Sequence, residues 1–168
     1  GTGPRLIPPE PARQESKKKT QVTTPHSHSY WPSDIPREMV LPDRCVDANL
    51  DATAARFGDR TAIIFQGRKI GFAELHGHVQ AMAGYLQNRC GLTRGDRVLL
   101  YMQNSPQCII SYYAILRAGG VVVPVNPMNK HGELEYLLQD TGARIMMIGV
   151  ELAGNVTQLM ADGAIDHV

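Results

Sequence analysis

Residues 95–125 read GDRVLLYMQNSPQCIISYYAILRAGGVVVPV, and the fold class follows from this stretch. Val98-Leu99-Leu100-Tyr101-Met102 is an almost unbroken apolar run of strand length, the pattern of a strand covered on both faces, as in a parallel sheet. A helix must follow it. Asn104 or Ser105 can cap that helix, Pro106 suits its first turn because an N–H there would have no partner, and Gly119-Gly120 stops it. Ile109, Ile110, Tyr113, Ala114 and Leu116 are apolar on more than one side, which places the helix well inside. Val121–Val125 is then a second strand, His131–Asp140 a helix with Leu134, Leu137 and Leu138 inward, and Arg144–Ile148 a third strand. Strand starts near 98, 121 and 145 leave room for β-α-β crossovers. The expectation is a three-layer α/β architecture with a mostly parallel sheet and flanking helices. Pro124 lacks an N–H, which puts its end of the second strand near a sheet rim.

Upstream, Val46, Leu50, Ala54 and Phe57 fall on one helical face, so the spacing predicts a helix over Pro42–Gly58 with Asp43 as a candidate N-cap. Thr61–Phe65 is β-favouring, Gln66-Gly67-Arg68-Lys69 reads as a turn and Ile70–Phe72 as a returning strand. Phe72, Leu75, Val79, Met82, Ala83 and Leu86 continue a helical stripe up to Gly91, the longest helix expected.

The division of charge gives the domain organisation. Residues 1–29 carry five basic side chains and two acidic ones, with Pro4, Pro8, Pro9, Pro11 and Pro25 and no aromatic residue. This is an extended or disordered basic tail, and Lys17-Lys18-Lys19 reads as a solvated charge run. Residues 30–168 are expected to form the folded part. A formal charge of +1 over 168 residues supplies no field to hold a nucleic acid. No stretch has the apolar length of a signal peptide core or a transmembrane segment. Cys45, Cys90 and Cys108 have neither CxxC nor CxxH spacing, which suits reduced thiols and a cytoplasmic location.

Common catalytic patterns are missing. The sequence holds no G-x-x-x-x-G-K-[ST] loop, no G-x-G-x-x-G after a strand and no G-x-S-x-G elbow. His26 and His28 lie in the tail, and His76 and His78 are about 200° apart around a helix, so they do not share a metal-binding face. Cys108 sits near a helix start, where its thiol pKa would fall, but an apolar helix favours an ordinary buried thiol. Asp96 and Asp140 read as loop or cap residues. No residue is assigned a catalytic or metal-binding role. The carboxyl ends of the three strands lead into Gln103-Asn104-Ser105, Asn126-Pro127-Met128-Asn129 and Gly149-Val150-Glu151, the loops where a parallel sheet binds ligands.

Six ordered blocks carry a resemblance. They are Arg56-Phe57-Gly58-Asp59-Arg60-Thr61-Ala62-Ile63, Gly71-Phe72-Ala73-Glu74-Leu75, Gly95-Asp96-Arg97-Val98, Met102-Gln103-Asn104-Ser105-Pro106, the run Arg117 to Pro127, and the run Glu133 to Ala143. In order and spacing the chain from Tyr30 to Val168 resembles the N-terminal subdomain of adenylate-forming (AMP-binding) enzymes. Val125-Asn126-Pro127 and Tyr30-Trp31-Pro32 are similar to medium- and long-chain fatty acyl-CoA ligases. Gly71 stands where the family often has Thr, and Gly still serves as an N-cap.

The resemblance implies an N-terminal part of the acyl-CoA synthetase-like fold and a two-step ligation. A fatty carboxylate is activated by ATP and Mg to acyl-AMP, and the CoA thiol then displaces AMP. The family's Ser/Thr/Gly-rich phosphate loop, its later nucleotide contacts and its C-terminal lysine do not occur in these residues, so the chain alone is expected to be inactive and to bind none of these cofactors. An open sheet edge and an uncovered apolar face would favour a homodimer. The alternative is a free-standing α/β ligand-binding or interaction module of the same fold.

Overall fold

The computed structural model describes residues 32–36 and 41–168. The basic tail and the Tyr30-Trp31 lead-in lie outside the described residues. Two units divide at Asp43 and Arg44. In the first, Pro32–Pro36 holds a turn in which Ile35 N–H donates to the Pro32 carbonyl at 3.3 Å. All the helices and strands below belong to the second, Arg44–Val168.

Helix α1 is Ala48–Phe57 and buries Leu50. It starts well after Pro42: Asp47, not Asp43, occupies the N-cap, and Val46 is exposed. Strands β1 (Thr61–Phe65) and β2 (Arg68–Gly71) pair antiparallel. The connection is tighter than the four-residue turn expected. Gln66 (φ 48°) and Gly67 (φ 80°) both take positive φ, as a two-residue type I′ hairpin requires, so β2 begins at Arg68 and Phe72 opens the next helix. Helix α2 (Phe72–Asn88) is the longest, with Leu75, Val79, Ala83 and Leu86 buried.

The remaining elements are β3 (Arg97–Tyr101), α3 (Pro106–Arg117), β4 (Val121–Pro124), α4 (His131–Thr141), β5 (Ile145–Ile148), a 3₁₀ turn at Val150–Asn155 and α5 (Thr157–Ala161). The two last pieces were not foreseen in the sequence. The sheet is parallel, in the order β4-β3-β5. Pro124 therefore ends an edge strand, opposite Leu100. Gly120 marks the tightest point between α3 and β4: a Cβ there would lie 2.9 Å from Ile115 Cγ2 and 3.3 Å from the Asp96 carbonyl. The preceding Gly119 takes φ 89°, so both residues of the pair are needed to turn the chain.

Side-chain alternation splits the core into two layers. Val98, Val122, Ile145 and Met147 pack with α1, the hairpin, α2 and α3. Leu99, Tyr101, Val123, Met146 and Ile148 pack with Leu134 and Leu138 of α4 and Leu159 of α5. Helices on both faces of the sheet make the three layers expected.

Outside these cores, one polar network joins three helices. Asp51 of α1 accepts a hydrogen bond from the Arg117 guanidinium of α3 and pairs with His76 Nε2 of α2 at 2.8 Å, and Asp47 lies 3.5 Å from Arg117. The Arg117 bond holds the Asp51 carboxyl below its ordinary value of 3.8. The folded chain thus binds that proton more weakly than the unfolded chain. Its stabilisation is complete above the unfolded value and is lost as pH falls through the lowered one.

Two outcomes follow. Leu99→Ala, at a fully buried position of the central strand, is expected to cost about 2–5 kcal/mol in urea unfolding. Val121→Ala, on the edge strand with its side chain 46% exposed, is expected to cost less than about 1 kcal/mol. Equal costs would contradict a sheet centred on β3. Asp51→Asn is expected to cost about 0.2–1 kcal/mol near neutral pH, the range of a partly exposed pair. The difference in unfolding midpoint from the unsubstituted chain should start to shrink as pH falls past the ordinary carboxylate value of 3.8 and close only below the lowered one; a constant difference would rule out the carboxylate as the source.

Candidate functional site

Strands β3 and β5 run side by side, so their carboxyl ends open into adjacent loops. Gln103-Asn104-Ser105 follows one and Gly149-Val150-Glu151 the other, and both contribute to a cavity of about 870 Å³. Met102, Met147 and Ile148 line it from the sheet, Met82 and Tyr85 from α2, and Ile110 from α3. A second cavity of about 390 Å³ shares Met82, Tyr85, Met102, Met147, Ile148 and Val150 with the first. Together they form a methionine-rich groove beside β5. Thioether side chains suit such a surface because they are apolar and conformationally adaptable.

The third loop does not join them. Asn126–Asn129 is held on the opposite face by the fully buried Tyr101, whose hydroxyl donates to the Asn129 carbonyl at 2.6 Å with the Pro127 carbonyl 3.3 Å away. Asn155 Nδ2 donates to the same hydroxyl at 2.8 Å. One phenol thereby fastens the β4–α4 loop and the 3₁₀ turn to the central strand. A single hydroxyl in an aliphatic strand was the available signal for this hub, which the sequence reading passed over as part of an apolar run. The Arg117–Asp51–His76 network had no comparable signal, since its members are up to 66 positions apart.

The other singled-out residues have structural duties. Ser105, not Asn104, caps α3: its Oγ accepts from Cys108 N–H at 3.2 Å. Burial pushes the Cys108 and Cys90 thiols up from their ordinary value, the direction of an ordinary buried thiol. Cys45 is exposed. His76 and His78 diverge as their spacing requires, the first toward Asp51 and the second toward Glu74 at 3.6 Å. Among the described residues no three His, Cys, Asp or Glu side chains come together to hold a metal. Asp96 closes its own loop, with Oδ2 accepting from Thr93 N–H and Oγ1, both at 2.7 Å, and these bonds lower its pKa. Asp140 is neither loop nor cap; it lies exposed within the last turn of α4.

The polar side chains of the large cavity are His78, Gln103, Ser105, Gln107, Ser111 and Glu151. None is a lysine or arginine that would meet a triphosphate, and Ser111 Oγ faces the Met102 sulfur at 4.0 Å rather than a base. The lining offers no cationic side chain to a triphosphate or to the diphosphate of CoA. Its chemistry is that of apolar contact.

Comparison with known proteins agrees with this fold. The AMP-binding enzyme family pattern matches residues 50–167. Among solved structures, a benzoate CoA ligase from Burkholderia xenovorans superposes with a TM-score of 0.69 over 74% of this chain and 25% of that one, at 23% identity, a likeness of fold. The chain is 43% identical over 117 residues to a long-chain-fatty-acid–CoA ligase of Bacillus subtilis, covering 70% of this chain and 21% of that protein. With a long-chain-fatty-acid–CoA ligase of Escherichia coli it shares 38% over 141 residues, 82% of this chain and 25% of that protein. The chain therefore spans a quarter or less of the length of these relatives. An α/β scaffold of the adenylate-forming type is the class that the fold defines. The chain belongs to the AMP-binding enzyme family.

Tyr101→Phe tests the hub. Loss of the hydroxyl leaves the Asn155 amide and the Asn129 carbonyl without their partner, at an expected cost of about 1–3 kcal/mol. Limited proteolysis should then cut first within Asn126–Asn129; an unchanged cleavage pattern would show that the loop is held by other contacts.

Proposed function

We propose that these residues are the N-terminal α/β scaffold of a fatty acid–CoA ligase, an ATP- and Mg-dependent enzyme that activates a carboxylate as acyl-AMP and passes the acyl group to CoA. The observation that carries this reading is the 43% identity with the Bacillus subtilis long-chain-fatty-acid–CoA ligase over 70% of the chain. The 38% identity with the Escherichia coli enzyme supports it. Within that enzyme the chain supplies rigidity rather than reacting groups. Strand β3, sealed on both faces, sets the positions of the loops at the sheet's carboxyl rim, and Ser105 and Tyr101 fix two of those loops by hydrogen bonds.

On this reading the folded region begins near residue 30 and the basic segment before it lies outside the scaffold. Three free cysteines support a cytoplasmic location, and no described helix is long and apolar enough to cross a membrane. The substrate is a carboxylic acid of the fatty class, consistent with the relatives' names.

ATP–pyrophosphate exchange across a fatty-acid series tests both halves of the proposal. The 168-residue chain alone is expected to give no exchange above a no-protein control. The species bearing these residues, captured from its source cells with an antibody to residues 44–168, is expected to support exchange with a fatty acid and to form its CoA thioester. Exchange by the chain alone would overturn the scaffold role. A captured species that activates no fatty acid would overturn the ligase reading.

A further inference from the structure

The β1–β2 hairpin projects past the core it helps to build. Ile63 and Ile70 pair across it and face inward, Ile70 buried and Ile63 packed against the same cluster. The next pairs toward the turn are Ile64 with Lys69 and Phe65 with Arg68, and every residue from Ile64 to Lys69 is exposed. Ile64 keeps 67% of its surface in solvent and Phe65 37%. Paired residues share a face and successive ones alternate, so Ile64 and Lys69 lie on the side turned away from the core. The positive φ of Gln66 and Gly67 closes the turn in two residues, which makes the tip a short wedge of defined shape.

The charge around this wedge is largely of one sign. Residues 56–70 hold four basic side chains, Arg56, Arg60, Arg68 and Lys69, and one acidic, Asp59. At the base of the hairpin the guanidinium carbons of Arg56 and Arg60 stand 5.0 and 4.9 Å from the centroid of the same Phe57 ring. One aromatic side chain thereby gathers two like charges. Among the described residues Arg56, Arg60 and Lys69 have no ion pair, whereas Arg68 has one with Glu74 at 2.8 Å. A formal charge of +1 gives the whole chain no long-range field, but a cluster acts over about a Debye length, roughly 8–10 Å, and locally this one is cationic.

We propose that the hairpin tip and the arginine pair at its base are a docking surface for an anionic phospholipid bilayer, with Ile64 and Phe65 entering the headgroup layer and Lys69, Arg60 and Arg56 meeting lipid phosphates. At such an interface apolar burial and attraction to anionic headgroups add. Long basic side chains also suit it, because their charge stays in the polar layer while their stems lie on apolar surface. A second copy of the chain fits less well. The six exposed residues of the tip fall far short of the roughly 20–30 a side in a stable protein interface, and two copies would bring like charges together. The surface stands whether or not the ligase reading does.

The test is flotation of the 168-residue chain with vesicles of phosphatidylglycerol and phosphatidylcholine, beside vesicles of phosphatidylcholine alone, with amide exchange read on the bound protein. Binding to the anionic vesicles is expected, weakening as salt is raised, and exchange within residues 64–69 should slow about threefold or more. Arg56→Gln with Arg60→Gln is expected to lower the partition coefficient roughly fivefold per charge removed, and Ile64→Glu roughly tenfold or more. All three positions are exposed, and an unchanged urea midpoint separates lost binding from lost folding. Replacing Lys17, Lys18 and Lys19 by Gln is expected to leave the slowed exchange at 64–69 in place. No binding, or equal binding to both kinds of vesicle, would overturn the proposal. So would binding that the triple lysine substitution abolishes and Ile64→Glu leaves unchanged, since the basic segment would then be the contact. Equal slowing by inorganic phosphate at the same ionic strength would overturn it in favour of a soluble anion at the arginine pair. Slowing that grows with protein concentration in the absence of lipid, together with dimer in sedimentation, would overturn it in favour of a second copy.

Discussion

Strand β3 is hydrogen-bonded along both edges and covered on both faces, and the parallel sheet and the two core layers are organised around it. Val98 faces the layer of α1, α2 and α3, while Leu99 and Tyr101 face α4 and α5. Four of its five residues are buried, which is affordable only because β4 and β5 satisfy the backbone groups that burial would otherwise strand. The parallel sense of both pairings then requires crossovers, and the crossovers are α3 with Gly119-Gly120 on one side and α4 on the other. A five-residue segment thus dictates topology over more than fifty positions.

The legibility of this fold in the sequence follows from the same constraint. A strand buried on both faces must be apolar throughout, and a helix entered from it needs a cap and a stop, so Val98–Tyr101, Ser105-Pro106 and Gly119-Gly120 could be read directly. The errors fall where burial is slight. Helix α1 contributes only Leu50 to the buried core, so its apolar stripe left the start undetermined, and Val46, which fits the stripe, is exposed. The hairpin was misjudged because backbone φ, not hydrophobic pattern, selects a two-residue turn, and Gln66 gives little notice of a positive φ.

The site was legible in part, for a related reason. Sequence places three loops at the carboxyl rim of the sheet, but it does not say on which face each one settles. That choice is made by tertiary contacts: the Tyr101 hydroxyl draws Asn126–Asn129 toward α4, whereas the loops after β3 and β5 open beside α2. At Cys108 the apolar helix sequence already pointed to an ordinary buried thiol, and burial does push its pKa up.

The two faces of the sheet differ in how they are finished. On the α4 face a buried phenol, an amide and two carbonyls close a polar knot that admits one arrangement of loop, strand and 3₁₀ turn. Such a knot specifies geometry because any displacement leaves a buried group unpaired. On the α2 face the corresponding region is lined by Met82, Met102 and Met147 with Tyr85 half exposed, and nothing polar there dictates a single fit. The two faces thus differ in kind: closure is specific on the α4 face, and the surface on the α2 face is apolar and adaptable. At one end of that surface the Arg144–Asp166 fork, with the Asp166 N–H bond to the Arg144 carbonyl, holds the segment around His167 in parallel register beside β5, so that register there is set by charge and hydrogen bonds together.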